Sequence, residues 1–340
     1  MKLSIGQQII SRDSKAYIIA EACDNHLGNM EKAKEMIKLA KLAGADAIKF
    51  QHHIPDEEML PNVPMSDNFD IPLYEFLKKY SLTIEQHAEL KKYCDDIGIQ
   101  YLCTPFSWQA AKELHEIGID AFKIGSGEMT DIPTLKKIAG FGKPMIISTG
   151  MCTFEEIDRT YNELKSRVPL VLMNCVSEYP PVYEDINLKV INLMMERYPE
   201  AIIGHSDHTP DLYTSFAAIA LGAKVIEKHV IIDKRQPGPD QSVSIDFKEL
   251  AELVEGIRKI EAALGDKKVL HKREEQIRTW AFRSLVTARV IKKGEIISED
   301  MLTSKRPGIG IPSWQIDKVV GKRAARDIPE NILLSWSDLI

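Results

Sequence analysis

What most constrains this chain is an alternation. Eight short apolar runs, "AYIIAE", "DAIKF", "IQYLCT", "DAFKIGS", "PMIIST", "LVLMNC", "AIIGHSD" and "AKVIEKHV", recur along residues 16–230. Between them lie segments of 3.6-residue periodicity. In the first, Met30, Ala33, Ile37, Ala40 and Ala43 share one helix face. Helix starts are readable too: Thr83-Ile-Glu-Gln86 and Thr153-Phe-Glu-Glu156 have the capping-box form, in which each end satisfies an orphan backbone N–H. Near-continuous apolar strands, each followed by a helix, predict a parallel sheet covered on its outside. Eight such units close into a (β/α)8 TIM barrel of α/β class. The connection after "DAIKF" differs. It is long and polar, contains Pro55, Pro61, Pro64 and Pro72, and reads as an active-site loop.

The alternation ends near residue 264. This predicts a barrel domain over 1–265, a charged linker over 266–279 and a small β-rich domain over 280–340. The last domain carries a weak repeat. "ARVIKKGEIISEDML" at 288–302 aligns with "ARDIPENILLSWSDL" at 325–339, placing Gly294 opposite Asn331, two residues that tolerate a left-handed turn. A net charge of -6 argues against nucleic-acid binding. No apolar run approaches the roughly 18 residues of a membrane helix, and the N-terminus lacks the apolar core of a signal peptide. Cys23, Cys94, Cys103, Cys152 and Cys175 are odd in number and have no CxxC spacing. They read as reduced thiols, mostly small core residues, of a cytoplasmic protein.

A barrel gathers its chemistry at the C-terminal ends of its strands. Here the first run ends in Glu21, the second in Lys49 and Gln51, and the third in Thr104. The fourth carries Lys123 and ends in Ser126, and the fifth ends in Ser148. Asn174, Ser177 and Tyr179 close the sixth, His205 to His208 the seventh, and Glu227 to His229 the eighth. One such residue would be unremarkable as a cap or loop residue; all eight ends in register are not. His208 and His229 follow neighbouring strands, so two imidazoles with water and substrate would make an open divalent-ion site suited to Lewis-acid chemistry on a carbonyl. A hydrogen-bonded histidine pair without metal is the plainer reading. His205 would point the other way along its strand. Two ammonium groups and several hydroxyls on one rim would bind an anion such as phosphate. Lys49 or Lys123 as a Schiff-base lysine is the competing reading, and it leaves the histidines unexplained. A non-catalytic sugar- or ice-binding protein acting through the small domain would leave the barrel rim without purpose.

The runs "IIAEACDNHLG", "IKFQHH", "CTPFS", "FKIGSGE", "ISTGM", "IGHSDHT", "VIEKHV", "RQPGPD" and "KRPGIG" together span nearly the whole chain. In order and spacing they resemble the sialic acid synthase family, of the N-acetylneuraminate and legionaminate type, which joins a barrel to a C-terminal antifreeze-like (SAF) domain. The resemblance implies condensation of phosphoenolpyruvate with N-acetylmannosamine to N-acetylneuraminate and phosphate. Legionaminic acid synthesis from 2,4-diacetamido-2,4,6-trideoxymannose is the alternative. It implies a divalent cation on His208 and His229, Mn2+ first and Mg2+ or Co2+ next. Phosphoenolpyruvate would meet Lys49, Thr104, Lys123, Ser126, Ser148 and Ser206. The sugar would meet Glu21, Gln51, Asn68, Tyr179, Glu227 and Asp240. Arg306 would reach the N-acetyl group from the SAF domain of the second chain of a swapped homodimer. "CVSEYP" departs from the pattern by placing Ser177 at the substrate-binding position where neuraminate synthases often have an Asn on the phosphate, an Asn that legionaminate synthases also often lack, whereas "FQHHIPDEEM" and "IPLYEFL" look closer to the neuraminate branch.

Overall fold

The computed structural model describes residues 2–64, 71–238 and 240–340. They form two compact units, Met1–Leu264 and Gly265–Ile340.

The first unit opens with an antiparallel hairpin, β1 (Lys2–Ile5) and β2 (Gln8–Ser11), turned at Gly6, whose φ of 54° suits a residue without Cβ. Eight strands follow: β3 (Tyr17–Glu21), β4 (Ala47–His52), β5 (Gln100–Pro105), β6 (Phe122–Ile124), β7 (Met145–Ser148), β8 (Leu170–Cys175), β9 (Ala201–Asp207) and β10 (Val225–His229). They are ordered β5-β4-β3-β10-β9-β8-β7-β6 with parallel pairing. The two end strands of that order lie side by side and bring the sheet round on itself. This is the TIM barrel that the alternation predicts.

Side-chain parity explains both core and site. On the inward face, Tyr17 and Ile19 precede Glu21, Ala47 precedes Lys49, Leu102 precedes Thr104, and Ile146 precedes Ser148. The same face is therefore apolar at the bottom and polar at the rim. Leu3, Ile5 and Ile10 of the hairpin join the apolar floor and close the lower end of the barrel. The opposite parity packs outward against the helices in one large core.

The helices are α1 (Met30–Ala43), α2 (Pro55–Glu58), α3 (Leu73–Tyr80), α4 (Ile84–Ile97), α5 (Trp108–Glu116), α6 (Ile132–Ala139), α7 (Phe154–Leu164), α8 (Val190–Arg197), α9 (Tyr213–Ala220) and α10 (Phe247–Ala263). Both capping boxes read from the sequence form, at α4 and α7. A third, Asp246 with Glu249, starts α10. The long polar connection after β4 holds α2 and α3. Among the described residues, no helix is long and apolar enough to cross a membrane.

The second unit contains α11 (Glu275–Ala281) and the antiparallel pair β11 (Ser284–Thr287) and β12 (Leu302–Lys305). Its own core includes Leu285, Ile291, Ile297, Val319, Ile328 and Leu334. The weak repeat is a pseudo-twofold. Ile291 and Ile328, equivalent in the alignment, exchange both backbone hydrogen bonds, at 2.9 and 2.8 Å. Gly294 donates to Ala324 and Asn331 donates to Thr287, each at 2.8 Å, and both donors have positive φ.

Candidate active site

The rim encloses a cavity of ≈ 580 Å³. Glu21, Lys49, Gln51, Thr104, Lys123, Ser126, Ser148, Ser177, Tyr179, Ser206, Glu227, His208 and His229 line it. Asp240 lines an adjoining cavity of ≈ 360 Å³. Asn68 lies outside the described residues. Arg306 belongs to the second unit, where its Nε donates to the Ala281 carbonyl at 3.1 Å and its guanidinium lies over Trp280.

Two lysines and two carboxylates form the electrostatic centre. Lys49 Nζ is 2.9 Å from Glu21, 3.1 Å from the Thr104 hydroxyl and 3.7 Å from Glu227. Lys123 Nζ is 3.3 Å from Glu227 and donates to Ser148 at 2.8 Å. Ser206 donates to Glu227 at 3.1 Å, and Gln51 Nε2 donates to Glu21 at 3.0 Å. All four charged groups are almost wholly buried. Burial pushes the Glu21 carboxyl up, more than Lys49 pulls it down. At Glu227 burial is outweighed by Lys123 and Lys49, and its carboxyl falls. The two carboxylates titrate together, with Glu21 raised and Glu227 lowered. Lys49 is likewise opposed by burial but held charged by Glu21 and Glu227. A Schiff-base lysine needs the reverse, a neutral amine at working pH, so Lys49 does not suit that role, whereas burial lowers Lys123 from the ordinary lysine range.

Close backbone approach completes the anion side. Gly150 N donates to Ser126 Oγ at 3.0 Å, and a Cβ on Gly150 would come within 2.2 Å of Ser177 Oγ and 2.9 Å of Ser126 Oγ. Only glycine lets these two hydroxyls stand together.

The two histidines face each other with ring centres 5.1 Å apart and planes at 73°. His208 Nδ1 donates to the Val176 carbonyl at 2.7 Å, which leaves Nε2, 3.3 Å from the Tyr179 hydroxyl, as its ligand atom. Burial, then the charges of His208 and Lys49, hold His229 well below the usual imidazole range, so it is neutral. Its Nδ1 is buried without a hydrogen-bond partner. An orphaned, neutral, buried imidazole nitrogen beside a second fixed imidazole fits a divalent ion. At His208 burial opposes the charge, but Cys175, 4.0 Å away, outweighs it and lifts the pKa to about 9.

Other groups were not signalled by the sequence. The adjoining cavity holds His53, which bonds Glu58 at 3.0 Å and stacks on Phe106 with centres 4.1 Å apart, together with Asp24, whose carboxyl burial raises to about 6. "QHH" places His53 two residues beyond Gln51 on the same parity, which was the available clue. Asp207 and Lys228, by contrast, leave the rim. They pair at 3.2 Å on the outward parity, and Thr214 and Ser215 of α9 donate to Asp207. His205 also faces outward, against the Asn174 carbonyl at 3.0 Å.

The chain is similar in sequence and fold to known proteins. Residues 36–269 match the NeuB family and residues 282–340 match the SAF domain. The chain is 38% identical, over 94% of its length and 99% of the relative's, to the N,N'-diacetyllegionaminic acid synthase of Campylobacter jejuni. It is 36% identical to the human N-acetylneuraminate-9-phosphate synthase, over 93% of this chain and 90% of that one. A crystal structure of the N-acetylneuraminic acid synthetase of Leptospira borgpetersenii superposes with a TM-score of 0.75 at 32% identity, covering 82% of this chain and 94% of that one. With a barrel, a polar rim and a family match spanning most of the first unit, the chain belongs to the NeuB family of sialic acid synthase-type proteins.

Proposed function

We propose that this chain condenses phosphoenolpyruvate with the open-chain aldehyde of N-acetylmannosamine, giving N-acetylneuraminate and phosphate. One observation carries the reading: a paired-lysine, hydroxyl-lined anion pocket shares a single cavity with two facing imidazoles. The first suits the phosphate and carboxylate of phosphoenolpyruvate, the second a carbonyl acceptor.

In this reading Lys49, Lys123, Thr104, Ser126, Ser148 and Ser206 hold phosphoenolpyruvate. Its methylene carbon attacks the sugar aldehyde, and positive charge develops at the enol carbon. Water adds there, and the resulting tetrahedral centre breaks its C–O bond to release phosphate. A divalent ion on His208 and His229, when bound, supplies Lewis-acid polarisation of the aldehyde oxygen. Glu21 orients the sugar or takes a proton, its raised pKa suiting proton transfer near neutrality. Gln51, Tyr179, Glu227 and Asp240 contact the acceptor, and Arg306 meets its N-acetyl group across a swapped homodimer. Positioning and charge stabilisation then supply most of the rate.

One feature favours a second acceptor. Met59, Leu73 and Leu77 give the adjoining cavity an apolar wall, which suits the 6-methyl of 2,4-diacetamido-2,4,6-trideoxymannose better than a hydroxymethyl. Phosphate release from phosphoenolpyruvate, measured with manganese and each sugar in turn, separates the two. Metal-dependent release with N-acetylmannosamine, abolished by chelator and by His229→Ala, is the expected outcome. Release with the diacetamido sugar alone transfers the assignment to legionaminate synthesis. Release with neither sugar refutes both.

A further inference from the structure

The turn after β3 carries a cysteine that the sequence marks as ordinary core. Cys23 is fully buried, yet its backbone lies at φ 40°, in the left-handed region that residues with a side chain seldom adopt. Short backbone bonds hold it there: Ala22 N donates to the Lys49 carbonyl at 2.9 Å, and Asn25 N to the Ala22 carbonyl at 3.1 Å. The result is that Cys23 Sγ, a ring nitrogen of His229 and a carboxylate oxygen of Asp240 lie within 4.8 Å of one another. His229 Nδ1, the buried nitrogen without a hydrogen-bond partner, is 3.9 Å from Asp240 Oδ1. That is too long for a hydrogen bond. It is close to the separation of two ligands on one ion, since metal–donor distances of about 2.0–2.3 Å place neighbouring tetrahedral ligands roughly 3.3–3.8 Å apart.

We propose that the divalent ion's protein ligands are Cys23, His229 and Asp240 rather than the His208–His229 pair, making the centre a thiolate–imidazole–carboxylate site with a fourth position open to substrate. The inference rests on the reading that this cavity takes such an ion. It adds a chemical class: a thiolate ligand selects borderline-soft ions such as zinc, cobalt(II) or iron(II) over magnesium. It also makes the centre sensitive to oxidation at Cys23, because a sulfenate or disulfide no longer presents a thiolate.

The test uses the full-length chain stripped by chelator and titrated with cobalt(II) under anaerobic conditions. The expected result is a thiolate-to-cobalt charge-transfer band in the near ultraviolet, saturating at one equivalent per chain. The band should vanish in Cys23→Ser and persist in Cys175→Ser, which removes the thiol beside His208. One equivalent of cobalt bound with weak ligand-field bands only, unchanged in Cys23→Ser, overturns the inference and leaves the two-histidine site standing. A band lost in Cys175→Ser instead also overturns it. Failure to bind cobalt at all overturns both the inference and the ion-binding reading beneath it. Should Cys23→Ser not fold, X-ray absorption on the unmutated cobalt-loaded chain decides: a sulfur neighbour near 2.3 Å supports the proposal, and a shell of nitrogen and oxygen alone refutes it.

Discussion

Glu21 and Lys49, 2.9 Å apart and almost without water, show how one residue's surroundings set its chemistry. Burial raises the Glu21 carboxyl above its ordinary range. If Glu21 takes a proton during turnover, its ionised form is the active one. The rate should then fall as pH drops through a value above the roughly 4.3 of a free glutamate. Glu21→Gln should lower kcat by about 10²–10⁴ and remove that acid limb. A variant that is slow but keeps the limb would make Glu21 a positioning group only. The cavity-lining residues on strand ends were legible in the sequence because parity makes every second side chain face inward, and the inward positions turn polar at the rim. Cys23 was not legible, since a lone cysteine without spacing partners carries no signal, and its relevance depends on Asp240, which arrives from beyond β10. Glu58 was hidden for the same reason, reaching His53 across a turn rather than along a strand.

At the scale of elements, β9 and β10 divide their polar residues between two sides. Ser206, Glu227 and His229 face the cavity, while Asp207 and Lys228 bind the strands to α9. Lys228→Met should leave Asp207 as a buried charge without its counter-ion and cost about 3–5 kcal/mol of barrel stability. Urea unfolding of the full chain would measure it; a loss under 1 kcal/mol would mean that Thr214, Ser215 and Thr209 suffice to hold the carboxylate. Helix starts with a Thr capping box could be read directly. The Asp246 box at α10 went unread because its first residue is Asp, outside the Ser/Thr form of the motif. The β1–β2 hairpin was missed because each arm is only four residues long, too short for a period to show.

For the whole molecule, eight repeating units made the barrel readable, and the alignment of 288–302 with 325–339 anticipated the pseudo-twofold of the second unit. If the chain forms the proposed swapped homodimer, the arrangement makes a prediction that a monomer cannot imitate. Co-expressed Glu21→Gln and Arg306→Ala chains should recover activity that neither has alone, about a quarter of the unmutated level if the chains pair at random, because half the dimers are mixed and each holds one intact site. Recovery absent from purified mixed dimers would place Arg306 over its own barrel, or over none. The hairpin has a separate consequence. With Leu3, Ile5 and Ile10 sealing the floor, the barrel is a vessel with one mouth. If a ligand seats against Lys49 and Lys123 as proposed, it must arrive before whatever covers it and depart after it. Binding is then ordered by depth, first in and last out, and a dead-end analogue of the outer ligand should trap the inner one behind it.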